Sequence, residues 1–200
     1  MKKKEIVFFD FDGTITTKDS TKEFYKFVYG GFFWFRYYFT NLLFYFLVKV
    51  KTKNYLQLKI KRLKDLINYV GSENLKSKGL EFQRKILPGL IKKDALKKIE
   101  EYKLKGMNLV IVSASMDILI NEWSKENGFV TITNELELKS NKYTGKFVRE
   151  KDCNFEEKVI RIREKFPNLD ANYTYAYGDT QGDMAMLEIA DESYYNVLKK

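Results

Sequence analysis

One short stretch near the amino terminus constrains this chain more than any other. Ile6-Val7-Phe8-Phe9 is an apolar run of β-branched and aromatic residues, the pattern of a strand buried on both faces, and it leads into Asp10-Phe11-Asp12-Gly13-Thr14. Side chains two apart on a strand share a side, so Asp10 and Asp12 set two carboxylates together at a buried strand end. Like charges there repel unless a cation lies between them. A divalent metal meets that need, and oxygen donors select Mg2+. The plainer reading, an Asx turn, accounts for one acid but not for the pair.

Two hundred residues, 44% hydrophobic and 16% aromatic, suit one core domain with a modest insertion. There is no histidine, which removes histidine-based triads, histidine phosphatases and the usual catalytic zinc sites. The single cysteine, Cys153, excludes an internal disulfide, and Val159 stands where a cysteine phosphatase needs arginine. Carboxylate chemistry remains. An intracellular, reducing compartment is the expected home, because Asp10 and Asp12 interrupt the apolar run that a signal peptide needs. The net charge of +9 fits anionic partners or simply a solvated basic surface. Nucleic acid is not expected, since the basic residues do not interleave with a stacking platform.

From Thr17 to about Leu87 the pattern is helical. Asp19-Ser20-Thr21-Lys22-Glu23 opens a helix. Residues 28–48 are nearly all apolar, with Arg36 near the middle and Gly30-Gly31 near the start. Three readings apply: buried cap helices, a surface lying against a membrane, or a true span. Leu56, Ile60, Leu63, Leu66 and Ile67 mark an amphipathic helix, and another is expected from about Ser72 to Ile86, before the Pro88-Gly89 turn.

Thereafter helices and strands alternate. A helix from Asp94 to Lys105 precedes the strand Asn108 to Val112, which finishes at Ser113-Ala114-Ser115, where backbone N–H groups can receive a phosphate. A helix from Asp117 to Asn127, a strand Val130 to Thr133 and a hairpin across Glu135 to Phe147 follow. Asn154-Phe155-Glu156-Glu157 resembles a capping box opening a helix to Phe166. Tyr173 to Tyr177 is the last clear strand, leading into Gly178-Asp179-Thr180-Gln181-Gly182-Asp183 and a helix from about Met184 to Ala190. The fold class is α/β: a doubly wound, mostly parallel, Rossmann-like sheet with a helical insertion after the first strand and a β-hairpin.

Asp10-Phe11-Asp12-Gly13-Thr14 resembles the DxDGT signature of the haloacid dehalogenase (HAD) superfamily of phosphohydrolases. Ser113, Lys158 and Asp179 with Asp183 match its other three motifs in order, so the resemblance covers roughly Glu5 to Ala190. It implies a catalytic core of residues 1–16 and 88–200 with a C1-type helical cap of residues 17–87. It also implies Mg2+-dependent hydrolysis of a phosphomonoester, with Asp10 as nucleophile and Asp12 as acid and base. Ser113, Ala114 and Lys158 would bind phosphate, and Asp10, Asp12 (through its carbonyl), Asp179 and Asp183 would bind the metal.

The cap position, Val-Ser-Ala-Ser and Gly-Asp-x-x-Gly-Asp resemble the phosphoserine-phosphatase-like IB subfamily. Gly182 departs from it, standing where those enzymes usually carry Asn. Asp19 occupies the position of their substrate-reading cap glutamate, and Lys59, Lys61 and Arg62 are the candidates for a carboxylate-reading cation. The aromatic run resembles that of HAD-type phosphatidylglycerophosphate phosphatases, so the expected partner is a phosphorylated small molecule or lipid, with peripheral membrane contact through 28–48. The non-enzymatic alternative is a phosphate- or nucleic-acid-binding regulatory module.

Overall fold

The structure is a computed structural model and describes residues 4–39, 42, 46–47 and 55–199. Among the described residues, β1 (Glu5–Phe9) is followed by the helices α1 (Ser20–Tyr29), α2 (Phe33–Tyr37), α3 (Tyr55–Val70) and α4 (Ser72–Lys85), and then by α5 (Lys93–Leu104) and β2 (Asn108–Met116). The rest runs α6 (Asn121–Glu126), β3 (Phe129–Asn134), β4 (Leu136–Lys139), β5 (Lys142–Phe147), α7 (Glu156–Lys165), β6 (Tyr173–Gly178), α8 (Met184–Glu188) and β7 (Glu192–Tyr195). The main sheet has the order β3-β2-β1-β6-β7 and is parallel throughout.

The period-two alternation of β1 sorts its side chains between two cores. Val7 and Phe9 join Ile99 of α5 and Ile111 on one face, while Ile6 and Phe8 join Ile162 of α7 and Met186 of α8 on the other. Covering both faces removes the rings of Phe8 and Phe9 from water entirely, worth about 2–3 kcal/mol each. Asp10 continues the Ile6–Phe8 side, toward α7. Because β1 is central and its neighbours extend on both sides, Asp10 emerges at the switch point of the sheet, where ligands bind in open α/β folds.

The hairpin β4–β5 turns through Ser140 and Asn141, both at positive φ, as a type I′ turn requires. It leans on the inserted helices: the Ser72 hydroxyl accepts from the Tyr143 N–H at 2.6 Å.

Helix and strand ends otherwise shift by one or two residues from the sequence reading, with four larger corrections. The second strand continues through Ser113 to Met116. The expected helix 117–127 divides into a 3-10 turn at Asp117–Leu119 and α6, with Ile120 at a φ of −135° between them. No capping box forms at Asn154; the box is at Thr180 and Asp183. A fifth strand, β7, extends the sheet beyond Tyr173 to Tyr177, the last strand expected, and is paired along β6 from Tyr175 to Gly178.

The run 28–48 also divides. Phe33 and Tyr37 are buried, whereas Trp34 and Phe35 are exposed. Residues 40–41, 43–45 and 48 of that run lie outside the described residues, and among the described residues no helix is long and apolar enough to cross a membrane.

Candidate active site

Lys158 sits in the first turn of α7 and is 1% exposed. Its ammonium donates to Asp10 Oδ1 at 2.7 Å, Asp183 Oδ1 at 2.6 Å and the Val112 carbonyl at 2.8 Å. All three of its hydrogens are thus taken by the protein, so its service to a bound phosphate is nearby charge rather than a spare hydrogen bond. Burial pushes the Asp10 carboxyl up to about 6 against the pull of Lys158. Burial also works against ionised Asp183, yet Lys158 and the Thr180 donors more than reverse it and hold that carboxyl below its ordinary value.

Asp179 and Asp183 hang on the loop after β6. The second Asp183 oxygen accepts the N–H of Asp179 at 3.2 Å and both the N–H and hydroxyl of Thr180, at 2.9 and 2.8 Å. Asp179 accepts from the Thr14 hydroxyl at 3.0 Å, and a Cβ at Gly13 would overlap its carboxylate, so the φ of +87° at Gly13 and the lack of a side chain are both used. Carboxylate oxygens of Asp10, Asp179 and Asp183 all lie within 4.8 Å of one another. Three acids around one buried lysine leave negative charge uncompensated. The Asp179 carboxyl is accordingly raised, chiefly by burial. A hard divalent cation such as Mg2+ fits this donor set.

Asp12 faces away from that cluster. Its Oδ1 accepts the Ser20 N–H at 2.7 Å, and its Oδ2 accepts the Ser115 hydroxyl. Burial, with the charge of Asp19 adding to it, pushes its carboxyl up to about 7, beyond what the two hydrogen bonds pull back. The side chain is thus poised to carry a proton near neutral pH, and only its backbone remains for the expected metal role.

The register of β2 against β3 shifts between Val112 and Met116, and β1 ends opposite Ile111. Ser113, Ala114 and Ser115 therefore have no registered strand neighbour, and the Ala114 carbonyl accepts instead from the side chains of Asn134 and Lys59, at 2.8 and 3.2 Å. Buried Ser113 accepts the Ser115 N–H at 3.1 Å and keeps its own proton to donate. These residues, with Asp10, Asp12, Lys158 and Asp183, line a cavity of about 480 Å³ whose other wall is Tyr25, Tyr37, Tyr55 and Arg62 from the inserted helices.

The substrate-reading candidates separate. The Asp19 carboxylate caps α1, accepting the Lys22 N–H at 2.8 Å, while it borders the cavity. Lys59 is neutralised by Asp152 at 2.7 Å and also donates to the Ala114 carbonyl, and Lys61 pairs with Asp65. Arg62 lies 4.0 Å from the centre of the Tyr37 ring and donates to its hydroxyl at 3.1 Å, and its buried Nε has no partner among the described residues.

Two residues take parts in the site that the sequence reading did not assign to them. Ser115 holds Asp12, and its signal was present: it follows Ser113 at the strand's own period. Asn154 lines the cavity, and a Cβ at Gly182 would overlap its amide, so its side chain fills the room that the glycine leaves. The missing side chain at 182 was its only trace in the sequence.

Residues 7–188 match the family described as haloacid dehalogenase-like hydrolase, and the chain belongs to that family. It is an enzyme of the hydrolase class, and the match takes in Asp10 and Asp12. Protein CicA from Caulobacter vibrioides is 31% identical over 195 residues, covering 97% of this chain and 86% of CicA. Among solved structures, a protein described as of unknown function from Bordetella pertussis Tohama I is similar with a TM-score of 0.78 and 18% identity, over 96% of this chain and 89% of that one. A phosphoserine phosphatase solved as a phospho-aspartyl intermediate analogue has a TM-score of 0.64 and 23% identity, over 96% and 86%.

Proposed function

We propose that the protein is a Mg2+-dependent phosphomonoester hydrolase that works through an aspartyl-phosphate on Asp10. The observation that carries this reading is the buried bridge from Lys158 to Asp10 and Asp183 on the floor of a cavity that Asp12 also lines.

Asp10 attacks phosphorus as the bond to the leaving oxygen breaks, and Asp12 gives its proton to that oxygen. Asp12 then takes a proton from water, which attacks the same phosphorus, releasing phosphate and restoring the Asp10 carboxylate. Ser113 and the Ala114 N–H hold phosphate oxygens, and Lys158 offsets their charge. Mg2+ held by Asp10, Asp179, Asp183 and the Asp12 carbonyl would supply further positive charge to those oxygens. Residues 17–87 act as the cap, closing the cavity against the core of residues 1–16 and 88–200. The lone buried Cys153, its thiol pushed up to about 11 by burial, suits a reducing cytoplasm and plays no chemical part.

Phosphoserine is a second reading, favoured by the Arg62 Nε, which has no partner among the described residues and suits a substrate carboxylate, and by likeness to a phosphoserine phosphatase. Against it, Asp19 is already committed to its helix. The test is phosphate release from p-nitrophenyl phosphate, dependent on Mg2+ and lost in Asp10→Asn, extended to phosphoserine and lipid phosphates. Phosphate or nucleic-acid retention without turnover would replace this reading with a binding module.

A further inference from the structure

Helix α2 has two faces with different surroundings. Phe33 and Tyr37, one turn apart, point inward, and Tyr37 forms part of the cavity wall. Trp34 and Phe35 point outward, 67% and 55% exposed, with Phe32 at 66% before the helix and Phe39 at 67% after it. Their ring contacts are partly with one another, Trp34 on Tyr38 at 5.1 Å and Phe35 on Phe39 at 5.3 Å. Large rings exposed in a row mark a surface that binds something apolar.

The charge of the segment says what that partner is. Between Glu23 and Asp65 the chain carries no acidic residue and nine lysines and arginines. Several of these serve inside the protein, as Lys59 and Arg62 do. A protein partner matched to the aromatic face alone would place no such demand on charge across the whole segment. Aromatic rings at headgroup depth combined with cations, and no acids, fit the surface of an anionic bilayer. Gly30-Gly31 and Arg36 interrupt the apolar run, and Phe33 and Tyr37 face the protein interior, so the fitting geometry for the outer rings is lying on the membrane.

We propose that the outer face of α2 docks on the surface of an anionic lipid bilayer. Tyr37 belongs to the same helix, so docking sets the cavity beside the headgroups, and the substrate class becomes a phosphomonoester whose apolar part stays in the membrane. The substrate clause rests on the phosphatase reading above; the docking does not.

The experiment is co-sedimentation of the full chain with phosphatidylcholine vesicles, with and without phosphatidylglycerol, beside p-nitrophenyl phosphate hydrolysis without vesicles. Binding about tenfold stronger to the anionic vesicles, weakened by salt and accompanied by a blue shift of Trp34 fluorescence, is expected. The triple variant Trp34→Ser/Phe35→Ser/Phe39→Ser should lose that binding and keep its hydrolysis and mass in solution. If it fails to unfold cooperatively, Phe39→Ser alone should show a partial loss. Absent vesicle binding, equal binding by the variants, or a wild-type dimer that the variants dissolve would overturn the proposal, the last by making a second copy the occupant. Vesicle binding without hydrolysis would leave docking in place and remove the phosphatase reading; hydrolysis without binding would do the reverse.

Discussion

Lys158 and Asp10 are 148 positions apart in the chain, and the ammonium of one donates to the carboxylate of the other at 2.7 Å, both of them buried on the floor of the cavity. The same ammonium reaches Asp183, so one cation holds two acids from opposite ends of the sequence. Removing one partner from a buried pair strands the rest. Lys158→Met should cost about 3–5 kcal/mol in urea unfolding and at least about a hundredfold in phosphate release. Unchanged stability would mean that the bridge is not formed in solution.

The two amino-terminal acids should fail differently. Asp10→Asn removes the attacking group, with an expected loss of about 10⁴-fold in kcat and no radiolabel trapped on the protein from a labelled substrate. Asp12→Asn should cost about 10²–10⁴-fold and erase the pH dependence described next, because its carboxyl moves the protons. A trapped phosphoryl group in Asp10→Asn would relocate the nucleophile.

Asp10 at about 6 and Asp12 at about 7 both lie above the ordinary carboxylate value of 3.8, burial being the largest cause for each. The folded protein therefore binds more protons than the unfolded chain between about pH 4 and 7, and stability should fall as pH rises through that window. Asp117, raised to about 6 by burial, acts with the same sign. Thermal unfolding without metal should show a midpoint several degrees lower at about pH 8 than at about pH 5, with Mg2+ restoring more at the higher pH. The first chemical step needs protonated Asp12, so kcat/KM should decline above about pH 7. A metal-free midpoint that climbs with pH would contradict the burial of these acids.

Asn154 and Gly182 share one space, which makes them a reciprocal pair. Gly182→Asn alone should clash and lose activity by about tenfold or more, and Asn154→Gly alone should weaken substrate binding. The double exchange should recover much of both losses, measured as kcat and KM in a double-mutant cycle. Additive losses would show that the two positions act separately.

Much of this was legible in the primary structure because it is local. The apolar run of β1, the acids that end it and the alternation of helices and strands depend on neighbours within a few residues. β7 escaped because Glu192-Ser-Tyr-Tyr carries little apolar pattern and gains its ladder only from β6. The box expected at Asn154 failed because Asn154 is drawn to the space at Gly182, while the Phe155 N–H bonds to the Gly182 carbonyl. Asp19 shows the same limit: an acid at a helix start reads equally as a cap and as a ligand, and its contact with the Lys22 N–H is the geometry of a cap.

Read alone, the sequence determined the α/β order and the strand that bears Asp10 and Asp12, which follow from side-chain period along the chain, whereas Ser113, Lys158, Asp179 and Asp183 were given their parts in the site only through the family resemblance. Only the tertiary structure decided that Asp12 turns from the acid cluster to Ser20 and Ser115, that Lys158 spends every donor inside the protein, and that one helix supplies both a cavity wall and an exposed aromatic face. Those outcomes depend on burial and on partners far apart in the chain, where desolvation and packing select among contacts that local propensity leaves equal.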